Sequence, residues 1–70
     1  MTLGERIAKR LEEIKITQHE LATRVGVTDI SMCRYIHGER MPNAPIIANI
    51  AKALGVTTDW LLGLEDLTEK

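Results

Sequence analysis

The chain has 70 residues and a formal net charge of −1; 44% of its residues are hydrophobic, and it contains one cysteine, one tryptophan, one tyrosine and no phenylalanine. This length fits one domain, and the apolar content is too high for an intrinsically disordered chain. The single cysteine excludes an internal disulfide, and no apolar run reaches the length of a membrane span, so we expect a soluble protein of the reducing cytoplasm.

Two capping boxes predict the first two helices. In Thr2-Leu3-Gly4-Glu5 the threonine hydroxyl can cap the first helical turn while the glutamate reaches back to the cap, and Thr17-Gln18-His19-Glu20 repeats the pattern. Apolar residues follow at helical spacing: Leu3, Ile7, Leu11 and Ile14 after the first box, then Leu21, Ala22 and Val25 after the second. We predict a first helix over about residues 3–14 and a second that ends before residue 26.

A glycine separates the second helix from a third. Gly26 stands where a residue without a β-carbon most easily takes a positive φ, and Thr28 is a good N-cap for a helix running to about Ile36, before Gly38. Two helices joined by so few residues must cross steeply, as in helix-turn-helix units. The small side chain of Ala22 suits such a close crossing.

The last two helices also carry start and stop signals. Asn43 is a suitable cap for a fourth helix with Pro45 in its first turn, and Gly55 closes that helix. Thr57 begins a short fifth helix, TDWLL, which Gly63 ends. Because no segment alternates with a period of two, we predict an all-α fold of five short helices.

Charge is unevenly distributed along the chain. Seven of the nine basic residues lie in the first forty positions, whereas four of the ten acidic residues lie in the last twelve. We predict one domain over residues 1–64, followed by an acidic tail over residues 65–70. Within the first helix, Arg6, Lys9 and Arg10 are expected to form the solvated face.

A helical projection of the third helix separates an inward face from an outward one. The inward face holds Met32, Tyr35, Ile36 and the Thr28 cap, the outward face holds Ile30, Arg34 and His37, and Asp29 and Ser31 flank the exposed tip. A guanidinium binds guanine or phosphate, an isoleucine packs on a thymine methyl, and a carboxylate accepts from cytosine. We therefore predict that Asp29, Ile30 and Arg34 face the bases of DNA. In the alternatives, Ile30 is a helix contact inside the chain and Arg34 is an ordinary surface residue.

The whole pattern resembles the lambda Cro/C1-type, or XRE-like, helix-turn-helix family. The resemblance covers about residues 3–64 and depends on ITQHELATRVGVTDISMCRY, a proline at position 42 and IAKALGVTTDWLL, in that order. It implies a five-helix DNA-binding domain, usually dimeric, whose third helix enters the major groove. By position it implies that Gln18 contacts the DNA backbone, that Thr28 and Ser31 belong to the DNA-facing set, and that Arg40 binds phosphate. His37, on the outward face of the projection, is expected to flank them.

Two departures from the family pattern are informative. Where relatives often carry a partly buried pair of arginine and glutamate, this chain has Leu11 and Ile36. Replacing both partners of such a pair by apolar groups is often neutral or stabilising, so the paired change supports the fold. The second departure is Asp29, an acid directed at a polyanion. Three roles are compatible with it: the carboxylate accepts a hydrogen bond from cytosine, its charge stabilises the helix N-terminus, or its charge lowers the affinity for DNA.

An apolar patch is expected near the fourth and fifth helices. Ile46 lies outside the inward stripe of its helix, and with Trp60 and Leu64 (and Leu67 in the tail) it is a candidate for a homodimer interface. A domain of this size gains stability from such an interface. The alternative role for Trp60 is to cover one end of the core.

These patterns predict sequence-specific binding of double-stranded DNA by a homodimer on a two-fold symmetric operator. We expect a transcriptional regulator, a repressor rather than an activator. The alternative is a protein-interaction module with the same fold. Cys33 and His37 are four residues apart but have no third ligand or orienting group, so neither a metal site nor a catalytic pair is expected. His19 is expected to face solvent. No enzymatic activity, cofactor, small-molecule ligand or membrane partner is expected.

Overall fold

The computed structural model describes residues 2–64 and contains five helices in that range: α1 (Leu3–Ile14), α2 (Gln18–Val25), α3 (Asp29–Ile36), α4 (Ala44–Leu54) and α5 (Thr58–Leu62). The predicted all-α fold of five short helices is confirmed. The predicted acidic tail, 65–70, lies outside the described residues, and the domain boundary at residue 64 stays a prediction. None of these five helices combines the length and the apolar character needed to cross a lipid bilayer.

Each helix begins at the side-chain cap that the sequence predicts. Thr2 accepts from the amide of Glu5 at 3.1 Å, and the Glu5 carboxylate accepts from the amide of Thr2 at 2.9 Å. The second capping box, Thr17 with Glu20, has the same two bonds at 3.0 and 2.9 Å. Single hydroxyl or amide caps begin the other three helices, at Thr28, Asn43 and Thr57. These bonds satisfy amide groups that a helix start otherwise leaves without a partner.

The α1 helix ends differently from the others with a left-handed cap. Gly26, Gly55 and Gly63 end α2, α4 and α5 with positive φ, whereas α1 ends at Lys15, with φ of 61°. A side chain in the left-handed region is strained by contact between its β-carbon and the following carbonyl oxygen. The sequence gives no signal for this cap, since a lysine is ordinary at the end of a helix.

The core is aliphatic and draws on all five helices. Its buried residues are Ile7, Leu11, Leu21, Ala22, Val25, Met32, Tyr35, Ile50, Ala51, Leu54 and Leu61, with Ile36 packed against them at partial exposure. Burial of each large aliphatic side chain contributes about 1.5–3 kcal/mol. Leu11 and Ile36 therefore belong to one apolar cluster, as expected if the two replace an ion pair together.

Two arginines of α1 serve the fold instead of the solvent. Arg10 Nε donates to the carbonyl oxygen of Leu54 at 2.9 Å, and Arg6 Nη1 donates to that of Trp60 at 3.2 Å. The last carbonyls of a helix have no partner within it and carry its negative dipole end, so a guanidinium is a favourable partner there. The prediction that both arginines lie on a solvated face is wrong; of the three basic residues named, Lys9 is exposed.

Candidate nucleic-acid interface

Three residues, 26–28, join α2 to α3. The carbonyl oxygen of Ala22 accepts from the amides of Gly26 and Val27 at 2.9 and 3.0 Å, which fixes the turn against the end of α2. Gly26 has φ of 88°, as predicted, and Ala22 is fully buried. The turn thus sets the direction in which α3 leaves α2.

The α3 helix is divided into a buried and an exposed face. Met32 and Tyr35 are buried, whereas Ile30 is 67% exposed and Arg34 and His37 are exposed. The two faces predicted by helical projection are confirmed except at Thr28, which was predicted to lie inward but is exposed because it caps the start of the helix. The alternative in which Ile30 packs inside the chain is wrong. The face thus presents an apolar side chain and a guanidinium together to solvent, where both are accessible to a partner.

The N-terminal tip of α3 is held by its cap. The Thr28 hydroxyl accepts from the amide of Ser31 at 3.1 Å and lies 3.0 Å from the Ser31 hydroxyl, to which it donates. Thr28 is exposed and Ser31 is half-buried. The cap brings these two predicted DNA-facing residues into contact, next to Asp29 and Ile30, and holds the tip in one conformation.

Asp29 is paired with His19, which was expected to face solvent. His19 Nδ1 lies 2.9 Å from each of the two carboxylate oxygens of Asp29. Both side chains remain largely open to solvent, 72% for His19 and 61% for Asp29. His19 is therefore exposed as expected, but it also links the first turn of α2 to the first turn of α3. The pairing joins two residues ten positions apart on different helices, so it leaves no spacing signal in the sequence.

The predicted backbone contacts lie at the edges of this surface. Gln18 is half-buried in the first turn of α2, and Arg40 is exposed in the loop that follows α3. Arg40 lines a shallow groove of about 180 Å³ together with Tyr35 and Met41. Met41, which the sequence analysis did not single out, is 65% exposed.

His37 is turned back onto its own helix. Its Nδ1 lies 2.8 Å from the carbonyl oxygen of Cys33 and 3.4 Å from the Cys33 sulfur. Because a carbonyl oxygen only accepts, Nδ1 donates to it and Nε2 remains the outward nitrogen. Among residues 2–64 no group of three or more metal-ligating side chains is close enough to hold an ion.

The candidate dimer residues lie in the first turn of α4, in α5 and just after α5. Ile46 and Trp60 are half-buried and pack against the core, while Leu64 is 43% exposed. Leu62, which lies between Trp60 and Leu64 and was not among the predicted interface residues, is 40% exposed. Trp60 lines an open groove of about 450 Å³, and the Arg6 guanidinium carbon lies 5.4 Å from the centre of its ring, within the range of a cation–π contact. Trp60 thus covers one end of the core and also borders an open surface.

A family model described as helix-turn-helix matches residues 7–61. The repressor protein C2 of Salmonella phage P22 is 35% identical over 60 residues, which cover 86% of this chain and 28% of that protein. Multiprotein-bridging factor 1 of Candida albicans is 36% identical over 56 residues, covering 80% of this chain and 37% of that protein.

The fold is also close to that of a solved protein–DNA complex. The P22 c2 repressor bound to a synthetic operator superposes with a TM-score of 0.86 at 32% identity, over 93% of this chain and 98% of that one. This chain spans only about a quarter to two fifths of the two curated relatives described above, so the likeness concerns their helix-turn-helix part. The structure has the two capped helices and the short turn of a helix-turn-helix unit, and the family match covers the same residues. The chain belongs to the Cro/C1-type helix-turn-helix family of DNA-binding domains.

Proposed function

We propose that this protein binds double-stranded DNA sequence-specifically as a homodimer and regulates transcription, as a repressor. The observation that carries the proposal is the outward face of α3, where Ile30 is 67% exposed and Arg34 is exposed beside it. A helix inserted into the major groove meets base edges with such a face. The relative C2 is named a repressor, and a c2 structure holds an operator, which supports the same reading here.

In this proposal the roles of the side chains differ. Arg34 donates to a guanine, Ile30 packs against a thymine methyl, and Asp29 is the third base-facing residue. Contacts to the DNA backbone come from Gln18, Thr28, Ser31, His37 and Arg40. The base-facing residues supply discrimination between sequences, and the backbone contacts supply affinity that does not depend on sequence.

Homodimerisation is proposed to use Ile46, Trp60 and Leu64. Their partial exposure and the groove next to Trp60 offer an apolar surface that a second copy can cover. A two-fold dimer places two copies of α3 in successive major grooves, about 34 Å apart. Repression then follows from occupancy of the operator in the cytoplasm, and no catalytic step is part of the proposal.

The test of DNA reading is selection from a pool of random duplexes, followed by binding of the enriched duplex at several salt concentrations. A two-fold symmetric site is expected, with an affinity that falls steeply as salt rises because bound phosphates release their counterions. Folded protein that enriches no sequence contradicts the proposal.

The test of the dimer is sedimentation of the wild type and of a Leu64→Glu variant. Leu64 is exposed, so a charge there is expected to leave the fold intact while it disfavours an apolar interface. Asp59→Glu, which keeps the charge of an exposed residue on α5, serves as the control. A dimer that Leu64→Glu leaves unchanged rules out the proposed interface.

The second candidate is a protein-interaction module with the same fold. It is favoured by the similarity to a protein named multiprotein-bridging factor and by the net charge of −1, since nucleic-acid binders are usually basic. In that case the exposed Ile30 meets a protein surface. This candidate is supported if no duplex is enriched and the protein binds a partner protein with an affinity that varies little with salt.

A further inference from the structure

We propose that His19 is a DNA-contacting residue that works as an imidazolium, so that a proton is taken up when the protein binds DNA. In this arrangement the Nδ1–H of His19 is bound to Asp29 and the Nε2–H donates to a phosphate. The inference rests on the proposed DNA-binding function and concerns the same surface.

The geometry assigns the two ring nitrogens different tasks. Nδ1 lies 2.9 Å from both oxygens of the Asp29 carboxylate, and an ionised carboxylate only accepts hydrogen bonds, so Nδ1 carries a proton. The second nitrogen, Nε2, is then a lone-pair acceptor in the neutral ring and a donor in the charged ring. A phosphate oxygen needs a donor, and only the charged ring offers one at this nitrogen.

The position of the pair on the surface makes a phosphate the expected partner. His19 is in the first turn of α2 and Asp29 is in the first turn of α3, next to Ile30, which is 67% exposed. His19 itself is 72% exposed, so Nε2 is not shielded by the fold. A side chain at this junction lies at the edge of the helix that is proposed to enter the groove, where the DNA backbone passes.

The pair also explains how an acid is tolerated on a DNA-facing helix. A carboxylate alone at the tip of α3 repels the phosphates, whereas a carboxylate bound to an imidazolium presents no net charge. The complex therefore favours the protonated histidine in two ways, through the donated hydrogen bond and through the removal of repulsion. DNA affinity is expected to rise as pH falls through the range in which histidines change charge, about pH 8 to 5.

The helices that pack against α2 and α3 carry few other ionisable groups that could act on the His19–Asp29 pair. On α2, Glu20 is adjacent in sequence to His19 and interacts electrostatically with it and with Arg24. On α4, which also packs against α2, the one ionisable side chain is Lys52, in the last turn. The α1 helix meets α3 at Ile36, seven residues from Asp29 and at the opposite end of α3. Asp29 is therefore the group that contacts the ring.

The experiment is a pH series of binding to the duplex enriched from the random pool, at constant ionic strength, from about pH 5.5 to about pH 8. The chain has two histidines, so His19→Gln and His37→Gln form a matched pair of variants. The wild type is expected to lose at least about tenfold in affinity from about pH 5.5 to about pH 8, the equivalent of one charge-assisted hydrogen bond. His37→Gln removes another proposed backbone contact, so it is expected to bind more weakly throughout but to keep the pH dependence that His19 supplies. His19→Gln is expected to bind more weakly than the wild type at about pH 5.5 and to show little dependence on pH, because its amide does not change charge.

Asp29→Asn provides the complementary variant. It is expected to bind more tightly than the wild type at about pH 8, because it removes a negative charge, and to show a flatter pH profile. Thermal unfolding of each variant checks that the fold is intact, as the exposure of both side chains leads us to expect.

The outcomes separate this inference from the function on which it rests. An enriched duplex whose pH dependence survives in His19→Gln, or disappears only in His37→Gln, overturns the role of His19 and leaves DNA binding established. An affinity that does not vary with pH in the wild type does the same. If folded protein enriches no duplex at any pH, both the function and this inference fail.

Discussion

Gly4 lies directly against the backbone of Ile36. A β-carbon built on Gly4 would stand 1.8 Å from the carbonyl oxygen of Ile36, far inside any real contact distance. The first turn of α1 and the last turn of α3 thus approach as closely as two backbones can. This contact sets the position of α3 relative to the rest of the domain, and only glycine permits it.

Gly4→Ala is expected to lower the free energy of unfolding by about 2–3 kcal/mol, because the clash is with backbone that no side-chain rotation relieves. Urea unfolding measures the change. Gly38→Ala is the control, since Gly38 has φ of 76° but open space around it, and only the left-handed strain of about 1 kcal/mol is expected there. A Gly4→Ala protein as stable as the wild type contradicts the close approach.

Arg10→Met is expected to destabilise the fold by about 1–2 kcal/mol, because the Leu54 carbonyl loses a charged donor at the end of α4. The methionine keeps most of the apolar stem. Lys9→Met removes one positive charge from an exposed site on the same helix and is expected to change stability by less than about 0.5 kcal/mol. Equal losses in the two variants would show that the effect is one of net charge.

Lys15→Gly is expected to stabilise the protein by about 0.5–1 kcal/mol, since glycine adopts the left-handed conformation of Lys15 without strain. Lys9→Gly, the same exchange inside α1, is expected to destabilise by about 1 kcal/mol. Thermal or urea unfolding of the two variants reports the difference in sign. A loss of stability in both variants would argue against the strained cap.

Glu20 is expected to contribute to unfolding at acid pH. Its pKa lies below the ordinary value chiefly because the amide of Thr17 donates to its carboxylate. A carboxyl whose pKa is lowered by folding stabilises the protein above its unfolded pKa, and this stability is lost as pH falls through the folded pKa. Glu20→Gln keeps the capping box but is expected to flatten the fall in stability below about pH 4.5.

The measurement for Glu20 is urea unfolding as a function of pH. Glu12→Gln, an exposed glutamate of α1 outside either capping box, controls for the loss of one negative charge. If the free energy of unfolding falls equally in the two variants as pH is lowered, the hydrogen bond from Thr17 has no part in the pH dependence.

Arg34→Ala is expected to weaken binding to the enriched duplex by about 1–3 kcal/mol and to relax the preference at one base pair. Arg40→Ala, at the predicted phosphate contact, is expected to weaken all sequences equally and to reduce the salt dependence. Binding of a set of single-base variants of the duplex distinguishes the two. Uniform weakening by Arg34→Ala would reassign Arg34 to the DNA backbone.

The parts of the fold that the sequence predicted are those set by local chemistry. A capping box such as Thr2 with Glu5 operates over three residues, and the alternation of Ile30 with Met32 on a helix follows from its period alone. These signals were enough to place each of the five helices in residues 2–64 and, apart from Thr28, both faces of α3.

The contacts that the sequence did not predict join residues that are far apart along the chain. Arg10 meets a carbonyl 44 residues away, and the nearest atom to a β-carbon on Gly4 belongs to residue 36. Neither contact leaves a periodic or spacing signal, because it arises only when packed helices bring remote backbone groups together. The pairing of His19 with Asp29 is of the same kind, over a shorter range. The roles of the DNA-facing and dimer residues stay predictions.

The contact between Arg6 and the carbonyl of Trp60 joins residues 54 positions apart, and α1 packs against α5. This has a consequence for synthesis on the ribosome. A nascent chain that has not yet reached residue 60 lacks one of the helices that pack against α1, so part of the apolar face of α1 stays exposed while the rest is translated. At ordinary elongation rates of about 5–20 residues per second this interval lasts some seconds. The packing of α1 against α5 can form only after α5 has left the ribosome.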